Sequence, residues 1–370
     1  MIDVLRFWLI VQLFALAALP LAWRLLRALP SRGYVLAKPL GLLLVTYLLW
    51  MGGSFGLLRN SVGGILLCWL LVLILSLWVG RDGWRKSVSS STQGADRPLF
   101  VWLRVHWRLV AATEVLFLVA LGFWAFVRSY SPEITTAGGE KFMELTFLNG
   151  ILRSDRFPPL DPWLSGYAIS YYYFGYIMLA ALTQLSGLAP SVAFNVGLAT
   201  WFALTLTTAF GVTFDLVAAL VRSPSVRGPL EQARQRADSG AALAGGLLGA
   251  LFVAVVSNLE GFLESMQGIG LGSLAFWRWL DIKDLNCLDG PAYTVQVANC
   301  PQASGIMPER FFWWWRASRV ITDRDLLGNA VEIIDEFPFF SFLLGDLHPH
   351  VLAIPFSLLA IAVALNLFLG

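Results

Sequence analysis

Residues 62–79 read VGGILLCWLLVLILSLWV, a run without a single charge. A segment of that length belongs in lipid, because about 20 apolar residues in helical form cross the hydrocarbon core of a bilayer. The pattern recurs at roughly 4–23, 39–58, 109–127, 191–221, 241–259 and 351–369, so the sequence predicts seven spans. Composition agrees: 57% of residues are hydrophobic and 14% charged, against about 25% charged in soluble domains. A net charge of +2 offers no electrostatic reason for a nucleic-acid partner. The expected fold class is an all-α polytopic membrane protein with membrane lipid as its surroundings. The first span is read as retained, because Arg24 and Arg27 follow it and no small-residue cleavage site comes after.

Three loops, 24–38, 80–108 and 222–240, concentrate Lys and Arg against only Asp82, Asp96, Glu231 and Asp238. The positive-inside bias places them in the cytoplasm. The polar stretches 128–166 and 260–350 then lie outside, on a cell-membrane protein with its working face away from the cytoplasm. Segment 167–186 complicates this count, since a full crossing there would send the 222–240 loop outside. Tyr167, Tyr171, Tyr172, Tyr173 and Tyr176 favour the headgroup level. The preferred reading is therefore a segment that dips into the interface and returns, with an ordinary eighth span as the rival. Glu114 and Asp215 fall inside spans near their cytoplasmic ends, where snorkelling or pairing with Arg108 or Arg222 is expected. The chain divides into N-terminal helices with a cytoplasmic loop (1–108) and a second domain (109–370) with outer loops 128–190 and 260–350.

The outer loops carry the chemistry. After Gly138 and Gly139, residues 140–152 have helical spacing, and Glu140 and Glu144 share one face. Two carboxylates so placed repel by a few tenths of a kcal/mol unless a metal ion, a proton or a lysine lies between them. Lys141 is adjacent but points elsewhere. The pair reads as a catalytic base with a supporting acid, or as a solvated helix face. Asp161 before Pro162 makes an Asx turn or a substrate contact. Asn258 and Glu260 mark the outer end of the 241–259 span. Cys287 and Cys300 are expected to form a disulfide worth roughly 3 kcal/mol, and Cys68 to be buried and inert.

The stretch RFFWWWRASR is either an interfacial aromatic belt or a platform from which Arg316 and Arg319 reach phosphate oxygens. Asp346, His348 and His350 precede the last span. They read as ligands of a divalent metal ion, or as groups that bind diphosphate or orient a carboxylate. No phosphate-binding loop, GxSxG, HExxH or dinucleotide fingerprint occurs in its required context.

GGEKFMELTFLNGILRSDRFPPLDPWLSGYAISYYYFGY and EFPFFSFLLGDLHPHVLAIPF resemble the signatures of the DUF2298 membrane family, also called the YYY family after a tyrosine triplet, here Tyr171–Tyr173. The likeness runs from about residue 100 to the C-terminus, and includes NLEG at 258–261 and WWWRASR at 313–319. Members are generally longer, which implies an N-terminal piece of a larger protein. The layout is similar to that of GT-C glycosyltransferases: a helical bundle with two large outer loops that contain short juxtamembrane helices. The resemblance implies transfer of a sugar from a polyprenyl-phosphate donor at the outer leaflet. Glu140 and Glu144 then correspond to the first acidic motif and Glu260 to a later helix-end acid. Arg316, Arg319 or His348 would hold the donor headgroup. Asp161, Tyr171, Tyr172, Tyr173, Asp346 and His350 complete the candidate substrate contacts. GT-C enzymes usually offer an aspartate where this chain has glutamates. A transporter or lipid flippase, and a metal-dependent hydrolase built on Asp346, His348 and His350, are the alternatives.

Overall fold

The computed structural model describes residues 2–85, 99–134, 139–221, 231–256, 259–282, 288–289, 295–296, 315 and 317–370. The chain divides into two units, Met1–Ala254 with Leu344–Gly370, and Val255–Leu343. The first is a helical bundle of α1 (Ile2–Leu25), α2 (Ala37–Ser54), α3 (Val62–Arg85), α4 (Leu99–Val105), α5 (Trp107–Ser129), α6 (Lys141–Arg153), α7 (Phe174–Ser186), α8 (Pro190–Val221) and α9 (Glu231–Ala254). The last span of the chain, Pro349–Leu369, returns to this bundle.

Among the described residues six helices are long and apolar enough to cross a membrane, matching six of the seven expected spans. The seventh, expected at 241–259, is met by a shorter apolar segment, Gly240–Ala254. At 1.5 Å per residue it extends about 22 Å, short of the roughly 30 Å core. It packs along α8. There a Cβ on Gly246 would meet Phe210, and one on Gly249 would lie 2.1 Å from the Thr213 hydroxyl. Small residues at such crossings let helix backbones approach where lipid supplies no hydrophobic drive.

Polar contacts sort the bundle into two ends. At one end the Asn366 amide accepts from the Ala28 N–H and donates to the Leu25 carbonyl. Asp215 of α8 accepts from the Ser31 N–H at 2.6 Å and the Ser31 hydroxyl at 2.7 Å. The arginine-bearing 24–38 loop therefore meets the ends of α8 and the last span. At the other end the Asn60 amide donates to the carbonyls of Ile151 and Ser154 and accepts from Gln184.

Glu114 corrects one expectation. Its carboxylate takes Lys38 Nζ at 2.6 Å, the Tyr34 hydroxyl at 2.8 Å and Gln12 Nε2 at 2.7 Å, not Arg108. Lys38, counted with the loop charges in the sequence, opens α2 and is buried. Arg222, the partner considered for Asp215, lies outside the described residues.

Helix α7 explains the tyrosine-rich segment. Its 13 residues reach only about 20 Å. The Tyr173 hydroxyl before it accepts from Trp50, near the end of α2, and Gln184 near its other end reaches Asn60. Both ends of α7 therefore sit toward the same end of the bundle. The helix is buried in protein, with Tyr176, Ile177, Leu179 and Leu182 fully covered. Only Tyr167 and Tyr172 of the five rings are well exposed, so an interfacial position describes the approach to the helix and not the helix itself.

The second unit is small. Helices α10 (Glu260–Gly268) and α11 (Leu274–Leu280) pack around Trp277, with Leu263, Met266, Phe276, Leu280 and Ile282 against it. Two antiparallel pairs follow, β1 (Leu288–Asp289) with β2 (Val295–Gln296) and β3 (Thr322–Arg324) with β4 (Ala330–Glu332). Helix α12 (Pro338–Leu344) leads out of this unit, and α13 (Pro349–Leu369) is the last span.

Candidate functional site

The first turn of α6 presents Glu140, Lys141 and Glu144, while Pro349 at the start of α13 holds residues 346–348 in a non-helical approach. The two segments meet. Glu144 is fully buried; its Oε1 lies 3.0 Å from His348 Nδ1 and its Oε2 accepts the Leu347 N–H at 2.8 Å. The other ring nitrogen, His348 Nε2, is 3.3 Å from Oε2 of Glu140, whose side chain is 53% exposed. The group that stands between the paired glutamates is thus an imidazole from some 200 residues away, at the N-cap of α13.

Asp346 backs the cluster. Its Oδ2 accepts the Glu140 N–H at 3.2 Å, while Oδ1 is buried without a hydrogen-bond partner. Burial, then the charge of Glu144, push its carboxyl up to about 7, against the opposing pull of the Glu140 N–H, Lys141 and His348. Burial likewise raises Glu144, opposed by its bonds to His348 and Leu347. Lys141 is buried, donates to the Leu344 carbonyl at 3.1 Å, and is pushed below the usual ammonium range by burial and by Arg128. Arg128, at the end of α5, is held by two bonds to Asn195 Oδ1, at 3.1 and 2.8 Å.

Two glycines let the segments close on each other. Gly139 has φ +70°, and a Cβ there would stand 2.1 Å from both Asp346 oxygens; Gly345 has φ +89°, and its Cβ would stand 2.6 Å from the Arg128 guanidinium. Both conformations are left-handed, where L side chains are strained. Sequence reasoning missed Arg128 and Gly345 and set Lys141 aside as pointing elsewhere, whereas it is buried and within the field of Asp346 and Glu144. A glycine directly before each acidic segment was the signal available.

Beside the cluster lies an open, mostly apolar cleft of about 620 Å³, lined by Leu43 and Trp50 of α2, Tyr171–Phe174, Met178 of α7, and His350, Leu352 and Phe356 of α13. His350 joins the two places, with its ring 5.3 Å from that of His348. Tyr171 does so as well: burial and the negative field of Glu140 and Glu144 raise its phenol.

Asp161 Oδ1 accepts the N–H groups of Trp163 and Leu164, the Asx turn of the plain reading. Glu260 is buried at the start of α10 in the second unit, on one face with Glu264 and Gln267. Arg319, in the same unit, pairs with Glu332 at 2.6 Å and stacks 3.8 Å over Trp315. Arg316, Asn258, Cys287 and Cys300 lie outside the described residues. Among the described residues no group of three His, Cys, Asp or Glu side chains is placed to hold a metal ion. The set Asp346, His348 and His350 does not converge, because both ring nitrogens of His348 face glutamates.

No curated protein and no solved structure matches the chain. The profile of a family described as "Uncharacterized membrane protein (DUF2298)" matches residues 44–370, most of the sequence, the whole cluster and all of the cleft lining except Leu43, so this chain belongs to the DUF2298 membrane-protein family.

Proposed function

We propose that the protein is a membrane glycosyltransferase that takes a sugar from a polyprenyl-phosphate donor on the face away from the arginine-laden loops. One observation carries the reading: a half-exposed glutamate, Glu140, backed by an imidazole and a buried carboxylate, is joined through His350 and Tyr171 to an apolar cleft walled by two candidate spans. The cleft suits a hydrocarbon chain, and the cluster beside it suits a reacting hydroxyl. Glu140 is the general base. It removes the proton from the acceptor hydroxyl as that oxygen bonds to the anomeric carbon. The bond from that carbon to the phosphate oxygen breaks, and the phosphate leaves with the electron pair. Glu144 is too enclosed to meet a substrate and orients His348.

The test uses the full chain in liposomes, offered a panel of polyprenyl-phosphate-linked radiolabelled hexoses. Transfer of label from at least one donor is expected, and its loss in Glu140→Gln with the protein still folded and inserted. No transfer from any donor, or a wild-type rate in Glu140→Gln, would remove the proposal.

A further inference from the structure

We propose that the turn between α2 and α3 and the loop between α6 and α7 form one surface that lies among lipid headgroups, at the end of the bundle away from the 24–38 loop. The partner is the bilayer itself, and the seating does not depend on sugar transfer.

Six large apolar side chains of these two segments, Phe55, Leu57, Leu160, Trp163, Leu164 and Tyr167, are each between 56% and 79% exposed. A contiguous patch of this kind marks a protein or membrane contact. The two segments are tied together. The Asn60 N–H donates to the Asp155 carbonyl at 2.8 Å, and a Cβ on Gly53 would stand 2.6 Å from the Phe157 ring. The loop also ties its own backbone. The Asp161 N–H donates to the Tyr167 carbonyl and the Ile169 N–H to the Pro159 carbonyl, both at 2.9 Å, while the Asp161 carboxylate holds the N–H groups of Trp163 and Leu164. The exposed side chains therefore stand on a fixed frame.

Span length sets the depth. The apolar part of α3, Val62–Arg81, has 20 residues, which at 1.5 Å each cover about 30 Å, the thickness of the hydrocarbon core. Along it Leu66, Leu70 and Ile74 form an exposed stripe at helical spacing that faces lipid. The turn just before Val62 continues that face into the next layer, where Trp and Tyr are enriched. Irregular backbone is kept out of the hydrocarbon itself. Arg59 and Arg156 are exposed in the same two segments, as suits the level of lipid phosphates. Three of the six apolar side chains are leucines, which give a sugar ring nothing to stack on, so lipid fits this surface better than carbohydrate. Phe142 stacks with Trp163 at 6.4 Å and lies two residues after Glu140. The seating therefore puts the opening of the glutamate cluster at headgroup depth.

The experiment uses the full chain in vesicles of phosphatidylcholine and phosphatidylglycerol. A benzophenone amino acid replaces Leu57 or Leu164, one at a time, with Leu70 of α3 as the reference for lipid contact. After irradiation, mass spectrometry identifies what each position has bonded to. Phospholipid adducts are expected at both loop positions, as at Leu70. Absence of a lipid adduct at either one, or an adduct there to a second copy or to another segment of this chain, would overturn the proposal. Trp163→Phe gives a second reading without a bulky probe. The fluorescence that it removes should be quenched more by lipids brominated high on the acyl chain than by lipids brominated at the chain end. Quenching that is equal, stronger from the chain end, or absent would overturn the proposal as well.

Discussion

The bundle encloses a carboxylate near each end, Glu114 one-third exposed and Glu144 fully buried, and the two are built differently. Glu114 accepts from Lys38, Tyr34 and Gln12, three donors within 2.8 Å, and its ammonium partner is itself buried. At the other end Glu144 leans on an imidazole that faces an exposed glutamate, and Asp346 beside it keeps an oxygen without a partner. The first arrangement is satisfied and ties α1, α2 and α5 together. The second is left partly unsatisfied beside an opening. Buried polar groups are nearly always paired, so an exception beside an opening is a place to seek chemistry.

Four changes would break or sharpen that contrast. The largest effect is expected from Glu140→Gln, which should lower sugar transfer by about 10²–10⁴-fold, the usual contribution of a general base, while thermal stability in detergent stays near wild type. Lys38→Met should do the reverse. Glu114 keeps a third of its side chain exposed and two other donors, so losing this charged hydrogen bond costs about 1.5–3 kcal/mol, and the melting temperature should fall while activity per folded molecule holds. A variant that melts normally but is inactive would make the inner pair a working part and erase the distinction.

Gly139→Ala comes next, at roughly 1–3 kcal/mol from its left-handed backbone. The methyl would also displace Asp346, so transfer should fall together with stability. Unchanged transfer in that variant would separate Asp346 from the site.

The last change is read against pH. Below about 3.8 the Asp346 carboxyl is protonated in folded and unfolded chains alike; between there and about 7 only the folded chain keeps that proton. Stability should therefore decline as pH rises through this window and level off above it. Asp346→Asn should flatten that decline in a melting series across the window. Equal slopes in both proteins would place the proton elsewhere.

Much of the architecture was legible in the sequence, because hydrophobic run length is a local property and lipid enforces it. The spans at 62–79, 109–127 and 191–221 each correspond to a helix that an uncharged or nearly uncharged run demands. The spacing of Glu140 and Glu144 was also local, and the need for a positive group between them followed from Coulomb's law. Which group stands between them was not legible. His348 and Glu144 are 204 residues apart, and no periodicity encodes a contact across that distance. Lys38 misled for a related reason: counted as a loop charge, it is a charge taken into the bundle because Glu114 waits there. Helix α7 misled in a third way. Its tyrosines suggested a headgroup-level helix, but most of the segment is covered by neighbouring helices, and burial by protein leaves the same apolar signature as burial by lipid.

The crossing of Gly139 under Asp346 and Gly345 beside Arg128 has a use beyond this molecule. At both places one strand of chain has given up its side chain so that another can lie almost on its backbone. A protein that carried the glutamates and the histidine but had alanine or larger at these two positions could not bring them to hydrogen-bonding distance by the same route. The missing side chains are therefore as diagnostic of this arrangement as the acids and the imidazole themselves.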